Sequence, residues 1–431
     1  MIKIESQNSN CCLQLGVIDL SLGMLIKFHR EKNNLTQEEL GKGVCSVTHI
    51  SKIEREITQY SSEITDLLSK RLEINLEHEL QSLQKFERLL DQWHDSMVMQ
   101  QKSEIERIKK KIENHPLFLI QSLQNKYFLL LGRYYLVQGN FSQADKLLNK
   151  IHKQRKELSV YELHLMHHLL GIAEILKGDF KKALTYFLQI NEREYLNHEF
   201  FYQIAIAYHN LQFKVKAYHY SELALDYFRK TNNFKKVIDA ETIKLISEGR
   251  NELWNFEDLV SRYNKLIVQC EMINETSKKA ALLSNLAYEH FYAEEHYGAK
   301  RYYKKTLDLL ENEIQTHTYL NNLIGYIYSC LQIGENSKDT NLPELINKGN
   351  KIANAIQDQS SLLFFQMLSL LEKKEMELYF EWIEEKIIPM LEESGNYQQL
   401  HSYEKTMFQH YLEQGDKDKA LKFAERLVSK N

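Results

Sequence analysis

Residues 125–158 read NKYFLLLGRYYLVQGNFSQADKLLNKIHKQRKEL, and this stretch decides the fold. Two apolar helical segments flank the turn Gly139-Asn140-Phe141. Small residues, Gly132 in the first segment and Ala144 in the second, stand where two such helices must cross closely. A glycine just after the first helix supplies the left-handed backbone that ends it. The stretch therefore predicts a helical hairpin.

The same arrangement recurs along the chain. Leu170-Gly171 and Gly178-Asp179-Phe180 repeat it 39 residues later, and Ile204-Ala205 begins a further copy after another 34. Weaker copies follow around Phe256 and Leu286-Ala287, and a final one contains Gly415-Asp416. These offsets resemble tetratricopeptide units, so we expect a right-handed solenoid of about eight or nine helical hairpins. An irregular helical bundle is the alternative.

Composition agrees with an all-α protein. The 431 residues include only 15 Gly and 3 Pro, which argues against turn-rich sandwiches and barrels. A hydrophobic content of 43% excludes global disorder, and the net charge of −4 provides no overall attraction to nucleic acid or anionic membranes. Five cysteines without a recurring spacing indicate a reducing compartment. With no signal peptide or membrane-length apolar run in the sequence, we expect a cytoplasmic protein without a membrane partner.

The N-terminal region has a different sequence pattern. Residues 23–54 read GMLIKFHREKNNLTQEELGKGVCSVTHISKIE. Thr36 with Glu39 three residues later forms a capping box for a second helix, Gly43 ends it, and Ser46 or Thr48 can cap a third. Two short helices joined by a tight turn predict a helix-turn-helix domain.

The string L-T-Q-E-E-L … I-S-K-I-E resembles the Xre/Cro family of DNA-binding domains. Its short turn, which contains Cys45, is similar to the Gram-positive peptide-pheromone regulators of the Rap/Rgg/NprR/PlcR/PrgX superfamily. In the length of the chain and the order of its two regions, it looks most like the NprR branch. This resemblance implies that a short imported signalling peptide binds inside the repeat domain and switches DNA binding or oligomeric state. Where that family usually has Gly and Pro after the recognition helix, this chain has residues 55–58, REIT, so we expect a longer or helical turn.

We therefore expect a helix-turn-helix domain at 18–75, a linker helix and the start of the solenoid at 76–100, and a peptide-binding repeat domain at 101–431.

The N-terminal region is not basic. Residues 17–76 carry eight Lys/Arg against nine Asp/Glu, although DNA-binding modules are usually basic. We expect most of these acids, including Glu38, Glu39, Glu54 and Glu63, to face solvent. Binding to operator DNA would then require a homodimer or a higher homo-oligomer.

The candidate DNA contacts lie on the second and third helices. The amide of Gln37, at a helix N-terminus, can hold a phosphate. The third helix presents polar side chains that can reach base edges or phosphates, although each can also be a plain surface residue. The predicted DNA-binding residues are Gln37, Ser46, Thr48, His49, Lys52 and Arg55.

The candidate peptide contacts follow from the tetratricopeptide resemblance, because the first helix of each hairpin lines the concave surface in that family. An Asn amide can both donate to and accept from an extended peptide backbone, and a Lys or Arg can meet a peptide carboxylate. The alternative is a polar groove that only faces water. The predicted peptide-binding residues are Arg133, Tyr202, Asn210, Lys244, Asn251, Asn285, Tyr288, Asn322 and Tyr326.

The sequence contains no recognisable catalytic motif. His164 and His168 lie one helical turn apart, but no Glu follows the first His and no third ligand is evident, so we expect neither a metal nor another cofactor. We expect a non-enzymatic, peptide-responsive quorum-sensing transcriptional regulator. Two alternatives stay open: a Rap-like protein that binds, sequesters or dephosphorylates a response regulator, and a phage or plasmid repressor.

Overall fold

The computed structural model describes residues 22–57, 61–248, 255–334 and 341–429. These residues form helices joined by short turns, with no strand among them. The chain divides into two compact units, residues 1–248 and 249–431. The predicted fold class, a helix-turn-helix followed by helical repeats, is confirmed. Within the described ranges, no helix is both long and apolar enough to cross a membrane.

The described part of the first unit starts with four short helices: α1 (Leu22–Lys32), α2 (Gln37–Gly41), α3 (Val47–Glu54) and α4 (Ser62–Leu72). Thr36 and Glu39 form the predicted capping box, and Ser46, not Thr48, caps α3 by accepting a hydrogen bond from the His49 N–H. The helices enclose a small core of fully buried side chains, each contributing about 1.5–3 kcal/mol. These side chains are Ile26, Leu40, Ile50, Ile53 and Leu68.

The turn after α3 is neither helical nor built on glycine. Glu56 adopts a left-handed conformation with φ of 58°. The N–H of Ile57 donates to the Lys52 carbonyl, and the N–H of Glu56 donates to the Ile53 carbonyl, as in a Schellman motif. Of the two alternatives, a longer or a helical turn, the helical one is therefore wrong, because Glu56 fills the position that glycine favours and stops the helix there. The N-terminus of α1 packs against this turn so closely that a Cβ at Gly23 would lie 2.1 Å from the Ile53 carbonyl oxygen.

Four hairpins and one further helix follow among the residues described in the first unit. The hairpins pair α5 (Leu76–Val98) with α6 (Lys102–Glu113), α7 (Gln121–Val137) with α8 (Phe141–Lys153), α9 (Val160–Leu176) with α10 (Phe180–Phe187), and α11 (Phe200–Asn210) with α12 (Lys214–Lys230). Helix α13 (Phe234–Ser247) packs against α12.

Glycine has the two roles in these hairpins that the sequence predicted. A Cβ at Gly132 would lie 2.7 Å from the Leu148 side chain, and one at Gly171 would lie 2.3 Å from the Phe187 ring. The turns at Gly139 and Gly178 have φ of 73° and 80°, in the left-handed region that favours glycine.

In the second unit, the described residues form one helix followed by four hairpins. Helix α14 (Phe256–Met272) precedes the pairs α15 (Thr276–Tyr292) with α16 (His296–Leu309) and α17 (His317–Ile333) with α18 (Leu342–Ala355). Helix α19 (Gln359–Glu372) then pairs with α20 (Met376–Trp382), which continues through a π-helical turn at Ile383–Ile387 into α21 (Ile388–Ser394). The last pair is α22 (Tyr397–Gln414) with α23 (Lys417–Ser429).

Candidate DNA-binding and ligand-binding sites

Helix α3 presents a polar face to solvent. Its buried side carries Ile50 and Ile53, whereas Thr48, Lys52 and Arg55 are exposed and lie at i, i+4 and i+7, on one face of the helix. Ser46 is also exposed, at the N-cap, and His49 is half-buried. Five of the six predicted DNA contacts are therefore brought together at this helix and its cap.

The sixth, Gln37, lies at the start of α2 and contacts α3 directly. Its side-chain amide donates to Glu54 Oε2 at 2.8 Å. The Arg30 guanidinium donates to both oxygens of the same carboxylate, from Nε at 2.5 Å and from the second terminal nitrogen at 3.0 Å. The Glu54 side chain is only 3% exposed, so the expectation that it faces solvent was wrong. The hydrogen bond to Glu54 raises the pKa of Arg30. Together, the Arg30–Glu54 ion pair and the Gln37 contact connect α1, α2 and α3.

Contacts of Arg71, His29 and Leu25 also position the helix-turn-helix region. The Arg71 guanidinium of α4 donates to the carbonyls of Leu40 at 2.7 Å and Lys42 at 2.6 Å, at the C-terminal end of α2. His29 Nε2 lies 3.1 Å from a Glu79 carboxylate oxygen of α5. Leu25 joins the core that α5 forms with the repeats. The sequence contained no local signal for these contacts, because their partners are 29 to 50 residues apart.

A buried polar network lies among the first repeats. One terminal guanidinium nitrogen of Arg133, on α7, donates to both carboxylate oxygens of Glu199, at 2.8 and 2.7 Å, and both residues are buried. Burial alone would raise the pKa of Glu199, but its neighbours, with the Arg133 charge the largest contribution among them, lower that pKa to about 2. Arg133 was predicted to contact a peptide carboxylate, and the structure pairs it with an internal carboxylate.

His94 of α5 belongs to the same network. Its Nε2 lies 3.2 Å from a terminal nitrogen of Arg133 and 3.3 Å from the Asn197 amide nitrogen. The Asn197 oxygen accepts hydrogen bonds from the Glu199 N–H and the Tyr227 hydroxyl, which orients the amide nitrogen toward His94. Nε2 is therefore an acceptor, and burial together with the Arg133 charge lowers the pKa of His94 well below its ordinary value. The imidazole is neutral.

A cavity of about 300 Å³ lies beside this network. Burial and the neighbouring Asp91 raise the pKa of Asp95. Lys126 forms an ion pair with Asp91 at 2.6 Å. A wall with three carboxylates and two phenols can accept hydrogen bonds from a positively charged or amide-bearing group. The lining residues are Asp91, His94, Asp95, Tyr161, Glu194, Leu196, Asn197 and Tyr227.

The other predicted peptide contacts in the first unit lie on α11 and α13. Tyr202 is half-buried, with the Lys236 ammonium 4.4 Å from its ring centre. Asn210 is exposed and donates to the Ile206 carbonyl of its own helix. Lys244 forms an ion pair with Glu222 at 3.1 Å. Asn251 lies outside the described residues.

In the second unit, the predicted contacts lie on α15 and α17. Asn285, Tyr288 and Tyr326 are half-buried. Asn322 is buried, and its amide nitrogen donates to the Thr318 carbonyl one turn earlier. Its amide oxygen accepts no hydrogen bond from any residue that the structure describes.

The histidines of α9 make contacts within the protein. His164 Nε2 lies 3.0 Å from a Glu194 oxygen, and His168 Nδ1 lies 3.0 Å from the Tyr195 hydroxyl. Burial lowers the pKa of His168 to about 4, so this ring is neutral near pH 7. Across the part of the chain that the structure describes, no three His, Cys, Asp or Glu side chains are arranged to hold a metal ion.

Comparison with known proteins agrees with these observations. Residues 26–78 match the family model HTH_3, described as a helix-turn-helix. The transcriptional activator NprA of Geobacillus stearothermophilus is 24% identical over 277 residues, which cover 62% of this chain and 67% of NprA.

Among solved structures, apo NprR of B. thuringiensis superposes with a TM-score of 0.66 at 22% identity, covering 80% of this chain and 98% of that one. NprR with its cognate peptide NprX has a TM-score of 0.60 at 22% identity, covering 80% and 99%. A Rap protein complexed with Competence and Sporulation Factor has a TM-score of 0.64 at 16% identity, covering 80% and 97%. The chain thus contains a helix-turn-helix domain, its sequence is similar to that of NprA, and its helical-repeat fold is the fold of NprR and of a Rap protein.

Proposed function

We propose that this protein is a quorum-sensing transcriptional regulator, which binds DNA through its helix-turn-helix domain and a short signalling peptide through the first helices of its repeats. The observation that carries this proposal is the assembled recognition helix. Helix α3 is capped by Ser46, supported by the Arg30–Glu54 pair, and presents Thr48, Lys52 and Arg55 to solvent. The name of the relative NprA, a transcriptional activator, supports the same function.

The peptide part of the proposal rests on the fold shared with NprR, which has been solved with its cognate peptide. Helices α11, α13, α15 and α17 carry the described candidate residues, and the cavity beside α5 adds polar groups in the first unit. A peptide of five to ten residues spans about 17–35 Å when extended. We assign peptide contacts to Tyr202, Asn210, Lys244, Asn251, Asn285, Tyr288, Asn322 and Tyr326. Arg133 is not among them, because it is buried in its ion pair with Glu199.

The DNA part is tested with the triple variant Thr48→Ala/His49→Ala/Lys52→Ala. Genomic fragments are selected by the wild-type protein, and binding of the enriched duplex is then measured by mobility shift. We expect the triple variant to lose the shift, because the base-edge and phosphate contacts are gone while the buried side of α3 is unchanged.

The control is Asp66→Ala/Lys70→Ala, which changes two exposed residues of α4. It should bind like the wild type and melt at the same temperature as the triple variant. Selection of no sequence by the wild type, or full binding by the triple variant, contradicts the proposed function.

The peptide part is tested with Asn210→Ala and Asn285→Ala. Loss of one amide that serves a buried peptide group costs about 1–3 kcal/mol, which corresponds to about 5- to 150-fold in affinity. Titration calorimetry would use the short peptides encoded next to the gene. Wild-type affinity in both variants would place the peptide elsewhere.

We further propose that the protein acts as a homodimer or higher homo-oligomer on a palindromic operator and that it is not an enzyme. A Rap-like action on a response regulator is the rival, favoured by the fold shared with a Rap protein. The two functions separate in one assay, because dephosphorylation of a phosphorylated receiver domain needs no DNA. Such activity in the Thr48→Ala/His49→Ala/Lys52→Ala variant would establish the rival.

A further inference from the structure

The end of α8 carries a concentrated positive charge. Lys146, Lys150 and Lys153 lie at i, i+4 and i+7, so they share one face of the helix. Arg155 and Lys156 follow in the next turn. All five side chains are exposed. Five cations therefore fall within eleven residues of a protein whose net charge is −4. We refer to these five residues as the α8 patch.

The α8 patch lacks acidic partners. Among the described residues, none of its five cations lies within salt-bridge distance of a carboxylate, and Arg155 donates only to the His152 carbonyl. Asp145 of the same helix pairs with Lys177 of α9. On α6, by contrast, Arg107 pairs with Glu104 and Lys109 with Glu113.

The helix dipole explains only part of this charge. A cation in the last turn of a helix stabilises it by about 0.3–1 kcal/mol, and Lys150 and Lys153 can serve that role. Lys146 stands two turns from the helix end and does not. Five unpaired cations also repel one another, so their clustering favours a polyanionic partner.

The helix-turn-helix domain of the same unit carries almost no net charge. Residues 17–76 contain eight basic and nine acidic side chains, so this segment provides almost no general attraction to DNA phosphates. That attraction supplies nearly all non-specific affinity in DNA-binding proteins. The domain packs on α5 through Leu25, α5 packs on α7, and α7 forms a hairpin with α8. The α8 patch is thus attached to the DNA-binding domain through a continuous core.

We propose that the α8 patch binds the phosphate backbone of duplex DNA outside the bases read by α3. The proposal rests on the proposed function, because it requires that the helix-turn-helix domain binds DNA. It assigns sequence readout to α3 and a sequence-independent share of the affinity to α8.

The test is the salt dependence of DNA binding by the full chain. The variant Lys146→Gln/Lys150→Gln/Lys153→Gln is compared with wild type by fluorescence anisotropy, using a random-sequence 40-base-pair duplex at about 50–200 mM salt. The slope of log affinity against log salt is negative, and each lost phosphate contact reduces its magnitude by about 0.9, so we expect the magnitude to decrease by about 2–3. Affinity at the lowest salt should fall at least about tenfold.

The matched control is Lys373→Gln/Lys405→Gln/Lys422→Gln. These lysines of the second unit are exposed and without an ion pair among the described residues, and the change in net charge is the same. The control should keep the wild-type slope, and thermal melts should show that both variants fold. Equal slopes for the two triple variants overturn the proposal.

Two other outcomes separate the hypotheses. Loss of DNA binding in the α3 triple variant, with a wild-type slope in the α8 variant, overturns the α8 proposal and leaves the proposed function intact. A wild-type DNA slope combined with lost binding of poly-glutamate would assign the α8 patch to acidic proteins, and this also overturns the proposal.

Discussion

The helix-turn-helix region and the first repeats each contain an arginine–carboxylate pair, half-buried in the first region and fully buried in the second, and the two pairs differ in their surroundings. Arg30 and Glu54 lie at the edge of the small domain, where Gln37 and the exposed Glu31 join them. Arg133 and Glu199 are buried among His94, His168 and Gln203. The first pair orients a helix that faces a partner, and the second joins helices inside the repeat core. The same chemistry should therefore contribute mainly to DNA recognition in one region and to stability in the other.

Breaking the repeat pair should have the largest effect on stability. Arg133→Met leaves the Glu199 carboxylate buried without its cation, so the free energy of unfolding should fall by about 3–5 kcal/mol. Urea unfolding followed by circular dichroism measures this loss. The double variant Arg133→Met/Glu199→Leu should recover most of it, because no charge is then left unpaired. A loss below about 1 kcal/mol in the single variant contradicts the assigned role.

The same pair predicts a pH dependence. The pKa of Glu199 is lowered to about 2, so the stability it provides is present above its unfolded pKa of about 4.5 and is lost as the pH falls toward 2. The wild type should therefore lose stability more steeply than the double variant between about pH 5 and 2. Parallel curves would show that the carboxylate titrates normally.

Breaking the Arg30–Glu54 pair should reduce stability less than breaking Arg133–Glu199, but it should weaken DNA binding more. Arg30→Met removes the partner of a nearly buried Glu54, so the free energy of unfolding should fall by about 1–3 kcal/mol. It also removes the contact that holds α3 against α1. DNA affinity should fall at least about tenfold, measured by anisotropy on the selected duplex. Glu31→Gln is the control, because its contact with Arg30 is exposed and such pairs contribute at most about 1 kcal/mol. Equal affinity in Arg30→Met and Glu31→Gln would show that the pair does not position α3.

The smallest effect concerns the turn after α3. Glu56 holds a left-handed conformation that costs a non-glycine residue about 1–2 kcal/mol, and burial raises the pKa of its carboxyl. Its carboxylate also accepts a hydrogen bond from the Met24 N–H, which offsets part of that cost. Glu56→Gly should therefore stabilise the domain by about 0.5–1 kcal/mol in thermal melts. Destabilisation would mean that the contact with α1 outweighs the backbone strain.

The repeat helices and the capped helices of the DNA-binding domain could be predicted from the sequence because their signals are local. Gly132, Gly139, Gly171 and Gly178 occupy the crossings and turns that their spacing indicated. The capping box at Thr36 and the exposed residues of α3 were likewise encoded within a few neighbouring positions.

The tertiary structure decided which polar residues are paired. Glu54 had the appearance of a surface acid and is buried against Arg30, 24 residues away. Arg133 had the appearance of a ligand contact and pairs with Glu199, 66 residues away. Helix periodicity and caps depend on neighbours within about four residues, so the sequence by itself determined the hairpins and the recognition helix. The partner of a buried charge depends on which helices meet in space, and only folding brings those helices together.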